Sequence, residues 1–503
     1  MALANRELPR AFLAGVAAAF LLLVVMSLLV ASREYFSRDD FGFLAFVQKP
    51  VWSWADIYLP LEQRWWWAYR PLGMESFFYL CFQAFGLDAF AYFAVALFLH
   101  YLSGLVVFRL ARQLGFGFHA AVATALLALS RHPTMAVIFY GSVFHYVAAG
   151  FFCLLSTHFF VDHARRGSLL PELLSCVALF LGLLCNEFAV VYPALFLLLS
   201  LHLDGWVISG STALRALKRC APQLLLAAFY LYFRFEMIAP VKTHSGYTAR
   251  YGLDHLAGNF GAQLYYFFGD PPTLGAGVLL LAAAATLAAR SASGRERMRS
   301  WLLPLSGVSA AWILLVLTPF IVLGASHPRF SKPIEVPLCL IFGGCLDLLW
   351  RSLPRHRRRA GEMALVLLLF AALPYHTLWL RSQALLGVHA LQLVTAIQTE
   401  QPRLAPDSRV VILYNAPGLG SHAGGARFKR NVFGGNALLH SHFPGQGLSL
   451  VLHDLWRSPV DERCDRCIYL QLLPDLTLAP AEKAFLEFRS PYHSAEFEAL
   501  WQP

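Results

Sequence analysis

Long apolar runs separated by short polar or basic stretches recur from residue 11 to residue 380. The first, Ala11 to Ser32, holds no charged residue, and a helix of about 20 apolar residues crosses a hydrocarbon layer roughly 30 Å thick. Arg6 and Arg10 precede it, as they would in a signal peptide, but the run is long for an h-region and many more follow, so it reads as an uncleaved span. The pattern predicts eleven transmembrane helices, near 11–31, 89–110, 117–131, 139–161, 169–185, 188–204, 221–239, 273–289, 301–322, 334–350 and 362–380. The third is the weakest, because Arg131-His132-Pro133 interrupts it.

Basic residues order these runs in the membrane. Arg109/Arg112, Arg165/Arg166, Arg215/Lys218/Arg219, Arg290/Arg295/Arg297/Arg299 and the cluster from Arg351 to Arg359 fall between alternate spans, and the positive-inside bias makes those loops cytoplasmic. The N-terminus is then inside and, with an odd number of spans, the tail outside. The stretch from Ser168 to Asp204 lies between two basic clusters, so it must cross an even number of times. Its polar break, Asn186-Glu187, becomes a tight outer turn between two short helices.

Three outer segments follow. The loop 32–88 carries Trp52, Trp54, Trp65, Trp66 and Trp67, rings that favour a membrane interface, and is expected to form interfacial helices. Residues 240–272 end in an aromatic, half-polar pattern that predicts another, and "GASHPRFSKP" is short and polar. Beyond residue 380 the composition changes. "LLGVHALQLVTAIQTE" has helical periodicity, while "RVVILYN" and "CIYLQLL" read as short strands between Gly-rich connectors. The expected organisation is a transmembrane domain over 1–380 and a small α/β-like soluble domain over 381–503.

Composition supports this class. The 503 residues are 58% hydrophobic and 14% charged, with a mean hydropathy of +0.55, more apolar surface than a soluble core hides. The net charge of +10 is spread between spans rather than gathered on one face, which is topology and not a nucleic-acid footprint. Seven of the nine cysteines lie in or beside spans as apolar fillers. Cys464 and Cys467, in "ERCDRC" of the outer domain, fit a local disulfide in an oxidising compartment, since a lone C-x-x-C lacks a second ligand pair for zinc.

With topology assigned, Asp39, Asp40, Arg70, His132, Glu187, Arg234, Glu236, His327 and Arg329 gather near the outer ends of spans. Charge at membrane depth costs at least a few kcal/mol unless paired or hydrated, so a one-sided cluster is a candidate site. Asp39 and Asp40 could be ordinary loop charges, but neighbours in sequence point apart, so one can face a substrate while the other anchors the loop. A partly desolvated carboxylate suits deprotonation of a hydroxyl nucleophile. Arg70 could snorkel to headgroups, or bind phosphate through its planar fork. Arg234 could pair with Glu236 or join Arg329 in the same role. His100, His132 and His145 show no metal-ligand spacing and read as structural. A carboxylate base with several arginines at one membrane face describes glycosyl transfer from an isoprenoid phosphate.

Read in order over roughly residues 30–345, "RDDFGFL", "YRPLGMESFFYLCFQAFGLDAF", "LLALSRHPTMAVIFYGSVFHYVAAGFF", "CNEFAVVYPALFLLL" and "HPRFSKPIEVPL" resemble the GT-C glycosyltransferases. The likeness is nearest to the membrane half of the transmembrane-and-tetratricopeptide O-mannosyltransferases and their bacterial relatives. The resemblance implies an all-α polytopic GT-C fold in a bacterial inner membrane, a polyprenyl-phosphate-sugar donor, inversion by single displacement, and a cleft at the periplasmic face. It puts the catalytic base on Asp39, with Asp40 second. It also puts the Arg-Pro-Leu motif on Arg70, the His-Pro on His132 and Pro133, the Lys-Glu pair on Asn186 and Glu187, and the Arg-Tyr pair on Arg329 and Phe330. Asn186 lacks the lysine charge, so phosphate neutralisation falls to Arg70, Arg234 or Arg329. Phe144-His145 stands where relatives carry Gly-Arg, and the tetratricopeptide array is absent, which leaves the acceptor open among glycan, lipid and protein. Glu187 is expected to position the base or the acceptor, with His132, Asn186 and His327 lining the cleft. Some relatives use a divalent cation, though no ligand set here identifies one. The competing readings are a lipid or polysaccharide transporter, which would carry polar groups through the membrane depth, and a non-catalytic assembly protein with replaceable outer acids.

Overall fold

The computed structural model describes residues 10–37, 39–48, 54–59, 69–130, 138–206, 209–237, 252–268, 292–321, 333–353, 385–400, 407–414, 437–443, 448–454, 467–472 and 478–480, with a few isolated positions besides. Four helices among them are long and apolar enough to cross a membrane: Phe12–Ala31, Ala89–Gln113, Gly141–Arg166 and Gly294–Ile321. Shorter apolar helices span Phe118–Leu129, Leu169–Cys185 and Glu187–Leu203, and Glu335–Ser352 packs against Phe118–Leu129. The predicted spans at 273–289 and 362–380 and the segment "GASHPRFSKP" lie outside the described residues. The first helix turns Leu21, Val25 and Leu29 outward, one residue per turn on a single face, as a helix solvated by lipid does.

The break predicted at Asn186 is present. Leu169–Cys185 ends there, Asn186 is extended at φ −158° and ψ 141°, and its side chain caps the 3₁₀ turn Glu187–Val191 by accepting from the Phe188 N–H. Pro193 then starts Tyr192–Leu203 at a position where no intrahelical N–H is needed. The predicted span at 221–239 starts earlier than expected, at Gly210, because Ser209 and Thr212 form a reciprocal capping box. It carries its charges, Arg215, Lys218 and Arg219, inside the helix.

Side-chain contacts sort the helix ends into two levels. At one, Trp301 donates to the Leu114 carbonyl at 2.8 Å, Arg297 and Arg351 hold Asp347, Gln113 bonds Asp162, and Arg219 bonds Asp204. All the described basic clusters meet here. At the other lie Asp39, Arg70, Tyr140, His145 and Glu187.

The segment after the first span, expected to form interfacial helices, contains two short helices among the described residues, Asp40–Val47 and Trp54–Tyr58. Trp54 is half exposed, but Phe36, Phe41, Phe43 and Phe78 are completely buried, and Phe36 meets Tyr92 edge-on with ring centroids 4.9 Å apart. Phenylalanine has no polar tip to hold at the interface, so these rings enter the core and draw the short helix Asp40–Val47 in with them. Trp52 and Trp65–Trp67 lie outside the described residues. A helix does form at Leu253–Phe268.

The C-terminal part of the chain contains helix Leu385–Glu400 and four strands: β1 Arg409–Tyr414, β2 Ser449–Asp454, β3 Cys467–Leu472 and β4 Leu478–Pro480. The sheet order is β2-β1-β3-β4, with β1 parallel to both neighbours and β4 antiparallel. Arg409 is level with Ser449 on one side and Cys467 on the other. The continuous apolar run of β1 is what a central parallel strand covered on both faces needs. The helix buries Ala390, Leu393, Val394 and Ile397, a single stripe at helical spacing. A short helix, Ala437–His442, packs on Asp40–Val47. Gln48 Nε2 donates to the Ser441 carbonyl at 2.7 Å, and the Tyr35 hydroxyl donates to His442 Nε2 at 2.6 Å. Burial lowers the His442 pKa to about 4, which keeps the ring neutral and Nε2 an acceptor.

Candidate active cleft

The two adjacent aspartates have opposite surroundings. Asp39 is the N-cap of Asp40–Val47 and is exposed, and its Oδ2 accepts from the Tyr140 hydroxyl at 2.8 Å. Burial, then the charges of Asp39 and Asp40, push the Tyr140 phenol upward, so it stays protonated and donates. Asp40 is fully buried, accepting from the Ser142 N–H at 2.6 Å and the Ser37 N–H at 3.1 Å. Those two bonds favour the carboxylate, but burial outweighs them and raises its pKa to about 7. Asp40 therefore ties the loop to the start of helix Phe144–Arg166, and Asp39 is the acid left at the surface. Glu34, one turn earlier, is also buried, and desolvation raises its pKa to about 8.

Arg70 is 8% exposed. Its Nε donates to Glu187 Oε2 at 2.9 Å, its Nη1 lies 2.7 Å from His145 Nε2, and its guanidinium stands over the Tyr146 ring at 6.0 Å. His145 Nδ1 is 3.1 Å from the Ser142 carbonyl. A carbonyl only accepts and a guanidinium only donates, so these partners assign the proton to Nδ1 and make Nε2 the acceptor. His145, which the sequence left as a structural residue, thus links the Asp40 anchor at Ser142 to the Arg70 fork. Glu187 is the counter-ion of that fork.

Local sequence explains why Arg70 sits there. Pro71 restricts Arg70 to non-helical backbone, found at φ −139° and ψ 56°, and Pro71–Ser76 then forms a π-helical turn. That turn is held tight against its neighbours by Gly73. A Cβ at Gly73 would stand 2.6 Å from His145 Cβ and 3.0 Å from Cys185 Cα, closer than any real side chain sits.

Arg234 does not form an ion pair with Glu236 among the described contacts; its guanidinium lies 5.9 Å from the Tyr69 ring, beside Arg70. Tyr230, on the same helix and absent from the sequence reading, has Glu187, Arg234, Arg70 and Tyr69 as electrostatic neighbours. It is 3% exposed, and its hydroxyl has no hydrogen-bond partner among the described residues. A tyrosine in an aromatic-rich helix has no sequence signature that distinguishes it from packing. Asn186 is 1% exposed and turns the chain between two helices.

His132, His327 and Arg329 lie outside the described residues, as does Cys464. Cys467, at the start of β3, is disulfide-bonded. Among the described acids, Asp39 Oδ2 is engaged by Tyr140 and Asp40 by two backbone N–H groups. Among the described residues no group of three His, Cys, Asp or Glu side chains converges.

No protein-family model and no curated protein matches the sequence. Among solved structures, the chain is similar to ArnT from Cupriavidus metallidurans. The apo state is 14% identical with a TM-score of 0.47, covering 92% of this chain and 93% of that one. The state bound to undecaprenyl phosphate is 15% identical with a TM-score of 0.46 over the same shares. The arabinofuranosyltransferase AftD from mycobacteria is 15% identical with a TM-score of 0.42, covering 90% of this chain and 32% of that one. With TM-scores below 0.5 these likenesses carry no argument for activity, and the functional reading rests on the cleft residues.

Proposed function

We propose that this protein is an inverting GT-C-type glycosyltransferase of the bacterial inner membrane. It moves a sugar from a polyprenyl-phosphate donor to an acceptor at the periplasmic face, with its N-terminus cytoplasmic and its C-terminal domain outside. The observation that carries this reading is the division of labour between Asp39 and Asp40, set in one hydrogen-bonded shell with the Arg70 fork. Asp39 takes the proton of the acceptor hydroxyl or amine as that atom bonds the anomeric carbon. The bond from that carbon to the phosphate oxygen breaks, and the electron pair leaves with polyprenyl phosphate. Arg70, its plane fixed by Glu187 and His145, stabilises the charge growing on the phosphate, with Arg234 and Arg329 as further cations. Glu187 acts through Arg70. Asp40, locked by two backbone N–H groups, holds Asp39 in register. No step is assigned to a metal ion.

The test is transfer by the purified full chain in vesicles, with a panel of labelled polyprenyl-phosphate sugars and a cell-envelope extract as acceptor. Asp39→Asn is exposed and should fold normally while losing transfer by about 10²–10⁴-fold, the usual worth of a general base. Wild-type rates in that variant remove the base assignment. Failure of the wild type with every donor removes the enzyme class.

A further inference from the structure

A second cavity, of about 840 Å³, opens at the opposite ends of the same helices. Ala89–Gln113 and Phe144–Arg166 both begin beside the cleft and finish at this cavity, and 25 residues of helix rise about 37 Å. It is therefore at the other membrane surface from Asp39. Its walls include Arg165, His202, Arg297, Trp301 and Arg351.

The charge there exceeds what the protein itself neutralises. Asp347 is shared by Arg297 at 3.0 Å, Arg351 at 2.7 Å and the Gly117 N–H at 2.8 Å. Glu296 is the carboxylate on the wall itself, and Asp162 acts on Arg165 while pairing with Arg166, so four guanidiniums meet three carboxylates in and beside the cavity. Trp301 floors the cavity, with its indole N–H fixed on the Leu114 carbonyl and Arg297 over its ring at 5.1 Å.

The helix that carries Trp301 continues as Leu303–Ile321. Leu303, Gly307, Ala310, Leu314 and Thr318 are its exposed positions, spaced 4, 3, 4 and 4 residues apart, which is one continuous face of a helix. Leu303 is 56% and Leu314 55% exposed, with the small Gly307 and Ala310 between them on the same face. The Thr318 hydroxyl is turned back onto the Leu314 carbonyl at 2.7 Å, so even this polar residue presents its methyl side.

We infer that this cavity binds the phosphate headgroup of an anionic phospholipid of the inner leaflet, with an acyl chain lying along Leu303–Thr318. A basic pocket between spans at the cytoplasmic surface, on a helix that continues with an exposed apolar face, fits a ligand with phosphate at one end and hydrocarbon at the other. The inference rests on the transmembrane orientation proposed above and not on the chemistry assigned to Asp39.

The test uses the full chain, purified in neutral detergent and stripped of lipid, with retention of phosphatidylglycerol, phosphatidylcholine and inorganic phosphate measured by native mass spectrometry and equilibrium binding. Arg165 lines the cavity and takes no part in the Asp347 ion pairs; Arg166, next to it, pairs with Asp162 and lies off the cavity. Arg165→Glu should weaken phosphatidylglycerol binding about tenfold or more, while Arg166→Glu changes it less than about twofold. Ala310→Trp, which adds bulk to that face without altering charge, should weaken the lipid and leave its preference over phosphatidylcholine intact. Equal loss in the two arginine variants, equal retention of phosphatidylcholine, or binding of inorganic phosphate that phosphatidylglycerol does not displace would each overturn the inference.

Discussion

Replacing Asp40 by asparagine tests whether a buried, backbone-bonded carboxyl holds the loop. Its pKa is raised from 3.8 to about 7, and a difference of about three units corresponds to about 4 kcal/mol between the two protonation states. The sign follows from the folded state binding the proton more tightly. Stability from this group is fully present below the unfolded value near 3.8, falls as pH rises, and is lost once the folded value near 7 is passed. Between pH 5 and pH 8 the part lost is about 2–3 kcal/mol. Asparagine does not titrate, but it keeps one acceptor oxygen and turns an NH₂ toward either the Ser37 or the Ser142 N–H. Leaving one of these donors unpaired costs about 1–3 kcal/mol. Asp40→Asn should therefore melt below wild type at pH 5, with the gap closing by about 2–3 °C at pH 8 on the entropy scale of a chain this size. Tryptophan fluorescence of the detergent-solubilised full chain reads both midpoints. His442 titrates alike in both proteins, whereas the Asp40 charge helps to raise the Glu34 pKa, so the change in the gap reads Asp40 together with its coupling to Glu34. Parallel melting profiles from pH 5 to pH 8 would refute the reasoning.

Three other changes probe the surrounding shell. Tyr140→Phe removes the 2.8 Å bond to Asp39 and should lower transfer about tenfold with donor KM unchanged, because it frees the base without touching the phosphate side; a steady-state series in donor concentration decides it. Gly73→Ala forces a methyl against His145 at 2.6 Å and should cost about 1–3 kcal/mol of stability, read as a lowered melting midpoint; an unchanged midpoint would mean the turn is looser than drawn. Tyr230→Phe deletes a hydroxyl with no partner among the described residues, so the midpoint should hold while donor KM rises about 2–10-fold, the worth of one hydrogen bond. An unchanged KM would take that hydroxyl out of the donor site.

Four of the eleven expected spans, at 11–31, 89–110, 139–161 and 301–322, are legible as helices long and apolar enough to cross a membrane, because the bilayer imposes length and apolarity together, and the break at Asn186-Glu187 followed from charge parity and its polar residues. β1 and β3 were legible as continuous apolar runs. β2, "SLVLHD", ends in two polar residues and gave no such signal. In the site, the opposed directions of Asp39 and Asp40 follow from backbone geometry, but which one is buried depends on Ser142, more than a hundred residues away. His145 looked like packing for the same reason: its role comes from two partners, Arg70 and the Ser142 carbonyl, that no local pattern brings together. In the loop 32–88 the pattern of tryptophans was visible, but the burial of Phe36, Phe41, Phe43 and Phe78 was not.

The contact between Ala437–His442 and the aspartate helix joins parts of the chain made at very different times. Tyr35 and His442 are 407 residues apart. At about 5–20 residues per second, roughly 20–80 s of synthesis separate them. Through that interval the first span and Asp39 are already made, while the surface that receives His442 has nothing to rest on. The helix that begins beside Asp39 is thus made long before the segment that packs on it, and its final packing waits for nearly the whole chain.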